Sequence, residues 1–405
     1  MKTAMKNQKT LNHAGEVYAR EEYAEQKNAG LELRSKQCSK SGKFAFPALR
    51  LGRWVGVLAL LVCVNWNLQA QNTQRVWTGG SNGALKTSGN WSPNTGNISV
   101  STDSVFNSNS NNAALTATTG TVGSLNANGT SSFKIHNNTS ASTDSTLTLG
   151  GAGNLGNSFS GVSTDLIYVS TGADLTIQGP TAGAAFLKVA LGQNGTFNIA
   201  GTSTISSVIS GTNLGFTKTG AGTLTLNGTN TYTGSTIVSA GKIVLGSAGS
   251  IASASILKIA SGATFDVKAK SGTGFNLNNP LTIDVDAANA GKLDATGAAL
   301  TYGGNLTLNI TTSTPLSSYN LFAFSSETGT FSSIALTGSF SGNMTNSSGV
   351  WTSLSNEYDF TFNESTGVLA TAAVPEPGTW VLLGIAAAFV LYRLGRKESV
   401  TSRRA

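Results

Sequence analysis

The chain has 405 residues, of which 39% are hydrophobic, only 11% are charged and 48 are glycine. Proteins carry on average about 25% charged residues. The composition excludes a disordered tail, which needs high net charge and few apolar residues. It also excludes a helical enzyme domain, which would draw on the Ala, Glu, Lys and Leu that favour helices. A long, β-rich and turn-rich protein remains.

The net charge of +7 lies almost entirely in the two ends of the chain. Residues 1–53 hold 11 Lys and Arg against 5 Glu, and residues 374–405 hold 5 Lys and Arg against 2 Glu. Residues 71–373 hold 10 basic against 12 acidic side chains, a balance of −2. Residues 71–373 are therefore slightly acidic, and nucleic acid is not predicted as a partner.

The N-terminal 70 residues form a long basic region followed by a signal segment. An apolar run of 11 residues, 54–64, follows Arg50 and Arg53 and is followed by a segment that ends in the small residue Ala70, which is the order of a secretory signal. Cleavage is predicted between Ala70 and Gln71, after export by the general secretion machinery. The alternative for residues 1–50 is a cytoplasmic tail or a misplaced start. Both cysteines, Cys38 and Cys63, precede the cut, so the mature chain would contain none.

The body, 71–314, shows short alternating apolar runs bounded by Gly, Asn and Ser, which is the strand signal. The inward pairs are predicted as Leu147/Leu149, Leu175/Ile177, Phe197/Ile199, Leu224/Leu226, Ile243/Leu245, Phe265/Val267, Leu281/Ile283 and Leu306/Leu308. Their first members are separated by 16 to 28 residues, and repeats in this range are typical of solenoids. The predicted fold is all-β, with a β-helix or solenoid body. The alternative is a β-sandwich array.

Residues 214–245 resemble the autotransporter-associated β-strand repeat of bacterial surface proteins. The matching positions are Lys218, Gly220, Gly222, Thr223, Leu224, Leu226, Gly228, Asn230, Thr231, Tyr232, Gly234, Thr236, Gly241 and Leu245. That family's passengers are right-handed β-helices, so the resemblance implies this fold here. The chain departs from true autotransporters because no alternating ten-residue strands of a membrane barrel follow residue 373.

Residues 315–373 are predicted as a C-terminal β capping region, since open solenoid ends need covering. Trp77 and Trp91 are predicted to cover the first coil in the same way. A sugar-stacking platform is the alternative for these two side chains.

Residues 374–405 hold three parts in a fixed order: a Pro-Glu-Pro box over 374–379, an apolar helix over 380–392 and a basic tail over 393–405. Together they resemble the PEP-CTERM sorting signal of Gram-negative bacteria. The motif residues are Val374, Pro375, Glu376, Pro377, Gly378, Arg393, Arg396 and Lys397. The resemblance implies recognition by exosortase, a membrane-embedded sorting enzyme. The two prolines keep the box extended.

The apolar run is predicted as a single transmembrane helix, with the following Arg and Lys side chains holding its end in the cytoplasm. The body would then be anchored in the inner membrane by its C-terminus before sorting to the cell surface or the extracellular space. An ordinary membrane anchor flanked by proline is the alternative.

Few residues of the body suggest catalysis, and no catalytic, cofactor-binding or metal-binding residue is predicted. His136 is interpreted as a surface strand position. Asp284 and Asp286 alternate on one strand, and paired carboxylates can hydrolyse glycosides at suitable spacing, but a solvated outer face is the preferred interpretation. Lys268 and Lys270 lack the aromatic neighbours of a nucleic-acid site.

The leading hypothesis is therefore an exported, non-catalytic surface or matrix protein in a biofilm, exopolysaccharide or adhesion context. The alternative is a β-helix that binds or cleaves exopolysaccharide. Adsorption to ice through flat threonine rows is a third hypothesis, which the uneven spacing of the pairs disfavours.

Overall fold

The computed structural model describes the backbone from residue 73 to residue 393 with gaps, and side chains from residue 120 onward. The described ranges are 73–77, 83–84, 91–92, 102–106, 113–115, 119–130, 132–137, 143–150, 165–178, 186–252, 255–355, 357–375 and 382–393. The predicted signal segment and the cut between Ala70 and Gln71 lie outside them.

The described residues form β-strands, one 3₁₀ turn and one α-helix. In chain order they are β1 (Thr73–Trp77), β2 (Gly83–Ala84), β3 (Trp91–Ser92), β4 (Thr102–Phe106), β5 (Ala113–Leu115), β6 (Thr119–Val122), β7 (Ser124–Ala127), β8 (Ser132–Asn137), β9 (Ser145–Leu149), β10 (Asp165–Val169), β11 (Asp174–Ile177), β12 (Leu187–Leu191), β13 (Gly195–Ile199), β14 (Thr202–Ile205), β15 (Ile209–Ser210), β16 (Phe216–Thr219), β17 (Thr223–Leu226), β18 (Thr236–Val238), β19 (Lys242–Leu245), β20 (Leu257–Ile259), β21 (Thr264–Asp266), the 3₁₀ turn (Lys268–Lys270), β22 (Phe275–Leu277), β23 (Leu281–Val285), β24 (Lys292–Tyr302), β25 (Asn305–Ile310), β26 (Ser318–Asn320), β27 (Phe322–Gly329), β28 (Ser333–Gly338), β29 (Gly342–Asn343), β30 (Thr345–Ser347), β31 (Val350–Ser353), β32 (Tyr358–Asn363), β33 (Val368–Ala373) and α1 (382–393).

Successive coils build three sheets whose strands pair in parallel across coils. Sheet 1 runs β28-β25-β23-β20-β18-β16-β13-β10-β7-β4-β1, with β29 and β3 added antiparallel at its two ends. Sheet 2 runs from β2 to β24 and is extended by β22 and β27, while sheet 3 holds β6, β9, β12 and β15. This is the pairing of a β-helix or solenoid. A β-sandwich array does not fit it, because sandwiches pack antiparallel sheets face to face. The right-handed coiling stays a prediction.

The core is built from columns of inward side chains, one from each coil. In sheet 1 the register aligns one such column, which consists of Leu125, Ile167, Phe197, Lys218, Val238, Ile259, Ile283, Leu308 and Leu336. All nine are buried. The eight predicted inward pairs are confirmed, since every member is at most 1% exposed. The pairs belong to three different sheets, so the spacing between successive pairs is not in every case the length of one coil.

A fourth, antiparallel sheet adjoins the last coil, and we call it the cap sheet. Its strand order is β26-β33-β32-β31-β30. Its aromatic side chains continue the core of the solenoid: the ring centroid of Phe362 lies 5.6 Å from Phe322 and 6.1 Å from Phe331. Phe331 in turn lies 4.7 Å from Tyr302 of β24. The apolar end of the last coil is thereby covered.

Candidate functional site

The predicted sorting segment begins at the last strand of the cap sheet. β33 ends at Ala373, and the Val374 N–H donates to the carbonyl of Glu357 at 2.8 Å. Val374 is half-buried and Pro375 is exposed. The box therefore starts within one residue of the folded sheet. Other predicted motif residues lie outside the described residues: Glu376, Pro377, Gly378, Arg396 and Lys397.

Beyond the box, α1 presents apolar side chains on every face. Its large apolar residues are more than half exposed, namely Leu382, Leu383, Ile385, Phe389, Val390, Leu391 and Tyr392. The guanidinium of Arg393 lies 5.3 Å from the centroid of the Phe389 ring, within the distance of a cation–π contact.

The expected transmembrane helix over 380–392 needs correction. No helix in the described part of the chain is long and apolar enough to cross a membrane. The described helix has only 12 residues, 382–393, whereas a span needs about 20. Inner-membrane anchoring through this helix is therefore not supported.

A buried carboxylate joins the cap sheet to the last coil. Glu364 is only 3% exposed, and its Oε1 accepts hydrogen bonds from Trp351 Nε1, from the Phe331 N–H and from the Thr330 hydroxyl, each at 2.9 Å. The Tyr302 hydroxyl donates to the backbone carbonyl of Glu364 at 3.2 Å. Glu364 thus links β24, residues 330–331 and β31 through hydrogen bonds. It lies between β32 and β33, the strand that leads into the sorting segment.

Replacing Glu364 with alanine is expected to destabilise the cap sheet by about 3 kcal/mol, because two buried donors, the Trp351 indole and the Phe331 N–H, lose their acceptor. Hydrogen exchange should rise in a peptide covering 358–373 and stay unchanged in one covering 223–245. Glu364→Gln keeps an acceptor oxygen and should cost less. The exposed Glu357→Ala serves as the control. Unchanged protection in the alanine variant would contradict this role.

The repeat places a lysine in the solenoid core. Lys218 is fully buried, at the position of sheet 1 that Phe197 and Val238 hold in the neighbouring coils. Its Nζ lies within hydrogen-bond distance of four carbonyl oxygens, those of Ile199 at 3.2 Å, Thr219 at 3.1 Å, Gly220 at 2.6 Å and Ala240 at 3.2 Å, which share its three protons. Burial lowers the pKa of its ammonium to about 8. The ammonium therefore links three consecutive coils through their carbonyls.

A second polar position of the core also belongs to the repeat. Thr236 aligns with Phe216 and Leu257 in sheet 1 and is fully buried. The Tyr232 hydroxyl lies 2.6 Å from its Oγ1, and Ser255 Oγ lies 3.4 Å from the same atom. Burial raises the pKa of Tyr232, so this hydroxyl stays neutral and holds the corner of the coil.

The glycines of the repeat mark a corner where adjacent coils touch. A Cβ on Gly222 would overlap the carbonyl oxygen of Gly201 and lie 2.7 Å from the carbonyl carbon of Ala200. Gly220 has φ +76° and would meet the Ile199 carbonyl. The close approach allows the Gly222 N–H to reach Ile199 O at 2.9 Å and the Thr223 N–H to reach Gly201 O at 3.0 Å.

The two carboxylates considered for catalysis have different partners. Asp284 pairs with Lys258 at 3.0 Å and accepts from Asn309 Nδ2 at 2.8 Å. Asp286 lies beyond the end of β23, where its Oδ1 accepts the N–H groups of Ala288 and Asn289, each at 2.7 Å. Hydrogen bonds, first that from Ser261, lower the pKa of Asp286. Both carboxylates are thus engaged in holding the coil.

His136 lies half-buried on β8, with Nδ1 2.7 Å from the Asn137 carbonyl. Within the described part of the chain, no three His, Cys, Asp or Glu side chains lie close enough together to hold a metal ion.

These features define a β-solenoid whose last strand leads into the C-terminal segment 374–405. Residues 216–245 match the family model of the passenger-associated-transport-repeat, and residues 373–397 match the PEP-CTERM protein-sorting motif. Both resemblances drawn from the sequence are thereby confirmed. The sorting motif implies export, targeting to the cell surface and recognition by exosortase-type sorting machinery. No significant match to this chain was found among curated proteins or among solved structures.

Sequence reasoning identified the repeat positions but missed how two groups act. The repeat motif marks Lys218, yet the alternation of the apolar pairs does not indicate that a lysine holds an inward position. Glu364 was missed entirely, because its three donors come from residues 13 to 34 positions away. The one sequence signal for Glu364 is its place as an acidic residue directly after the aromatic strand β32.

Proposed function

We propose that this chain is an exported, non-catalytic β-solenoid protein of the cell surface or extracellular matrix, acting in a biofilm, exopolysaccharide or adhesion context. Export would use the general secretion machinery, with cleavage between Ala70 and Gln71. The observation that carries the proposal is the sorting motif directly after the cap sheet, with Val374 still hydrogen-bonded to it.

The polar groups of the described body support a structural role. Lys218, Thr236 and Glu364 are buried and hydrogen-bonded within the fold. Asp284 and Asp286 each hold a different neighbour. In such a body the polar groups join coils, and the outer faces of the sheets are available for contact with matrix or neighbouring cells.

The sorting role is tested by replacing Pro375, Glu376 and Pro377 with alanine. Without the prolines the box no longer stays extended, so we expect the chain to be retained in the cell with its C-terminus intact. Cell fractionation and mass spectrometry of the terminal peptide measure both. The matched control replaces Ser399, Thr401 and Ser402, which lie beyond the motif. Normal processing and location of the Pro-Glu-Pro variant would refute the proposal.

A further inference from the structure

One coil of the solenoid carries a protruding connection that builds a groove. The chain between β21 and β23 contains the 3₁₀ turn Lys268–Lys270 and β22. Together with residues 249–251 it encloses a groove of about 280 Å³, lined by Lys270, Phe275, Asn276 and Asn278 among others. Connections that leave the regular coil are where solenoids usually place their binding surfaces.

Lys270 brings a positive charge to this groove. Its Nζ donates to the carbonyls of Ser247 at 2.7 Å and Gly249 at 2.6 Å, which uses two of its three protons. Lys268 is paired with Asp266 at 3.1 Å and Asp294 at 3.5 Å. Lys270, by contrast, has no carboxylate within ion-pair distance among the described residues. Partial burial lowers its pKa, so an anionic partner would stabilise the charged form.

The walls of the groove are held in place before any ligand arrives. Asn279 is buried and its Nδ2 donates to the carbonyls of Ala252 at 2.8 Å and Ser255 at 2.7 Å. The Gly274 N–H donates to the Lys270 carbonyl at 2.8 Å. A rigid connection of this kind reduces the ordering cost of binding.

The rest of the lining is aromatic and amide. Phe275 is half-buried, with its ring centroid 6.2 Å from that of Phe265, so part of the ring remains accessible. Asn276 and Asn278 are exposed. An apolar ring face, two amides and one ammonium match a ligand that has an apolar face, several hydroxyls and one carboxylate. A uronic acid, which is a carboxylated pyranose, has this combination.

We infer that this groove binds a uronic acid unit of a polysaccharide, with the carboxylate on Lys270 and the sugar ring against Phe275. The volume of about 280 Å³ lies just below the range for small-ligand pockets, about 300–1,000 Å³, which fits a single ring of a chain rather than a longer segment. The inference rests on the proposed function, since it names the matrix component that the exported body would contact.

Calorimetric titration of the full chain in detergent with trigalacturonate tests the inference. Wild type should bind it more tightly than a neutral trisaccharide, and more weakly as salt is added. Lys270→Gln should weaken binding about tenfold or more, because a charge-assisted hydrogen bond is lost, while Lys270→Arg should retain much of it. Lys188→Gln, which removes an exposed lysine paired with Asp144, is the control of equal charge.

Three outcomes would overturn the inference. They are no binding by wild type, equal binding of the neutral trisaccharide or of a triglutamate peptide, and unchanged binding by Lys270→Gln. Circular dichroism of the Lys270 variants separates loss of the site from loss of the fold. Failure here would leave the sorting experiment unaffected, since that experiment measures location and processing alone.

Discussion

Replacing Gly222 with alanine is expected to destabilise the solenoid by about 3 kcal/mol or more, the upper range for overpacked positions. The added Cβ would overlap Gly201 O and crowd the Ala200 carbonyl carbon. Both are backbone atoms, so no change of rotamer relieves the clash. The neighbouring coils would have to separate, and the hydrogen bonds from Gly222 to Ile199 and from Thr223 to Gly201 would lengthen.

Urea unfolding followed by circular dichroism measures this effect as a lower midpoint. Gly272→Ala is the matched control, because nothing lies within 4 Å of its Cβ position, and it should unfold like wild type. Hydrogen exchange should also rise at residues 199–201 and 222–223, where the two coils meet. A wild-type midpoint for Gly222→Ala would show that this corner can open without cost.

The inward pairs could be predicted because alternation along a strand is local: residues i and i+2 share a face whatever the chain does next. Leu224 and Leu226, for example, are buried as the sequence indicated. The membership of coils could not be predicted in this way, since an inward pair looks the same on every side of a solenoid. Phe197 lies in sheet 1 and Leu224 in sheet 2, so the spacing between them is not a coil repeat.

The sorting box was also readable, because its three parts follow one another in sequence. The contacts that hold the adjoining cap sheet were not, since Glu364, Trp351 and Phe331 meet only through the pairing of β31 with β32 and the turn after it. Lys218 is the intermediate case. The motif marks the residue, but only the register of β13, β16 and β18 places its ammonium among the carbonyls of three coils.

Lys218 should make the stability of the solenoid rise with pH between about 8 and 10. In the folded chain its pKa is about 8, whereas an unfolded lysine titrates near 10.4. Between these values the unfolded chain binds more protons, so raising the pH favours the fold. The linkage relation gives a gain of about 2 kcal/mol from pH 7 to pH 9.5. Above pH 10 buried Tyr232, whose pKa is raised, reverses the trend, because unfolded tyrosine ionises first.

Lys218→Met isolates this contribution when urea unfolding of both proteins is compared at pH 7 and pH 9.5. The variant should be less stable at both pH values, because the four carbonyl oxygens lose the hydrogen bonds from the lysine. Its deficit should grow by about 2 kcal/mol at the higher pH, since only wild type gains from releasing the buried proton. Lys188→Met removes an exposed ammonium instead and should follow the wild-type curve. An equal difference in the free energy of unfolding between wild type and Lys218→Met at pH 7 and pH 9.5 would contradict this prediction. The buried ammonium would then keep an ordinary pKa, because the carbonyls of three coils would fully compensate its burial.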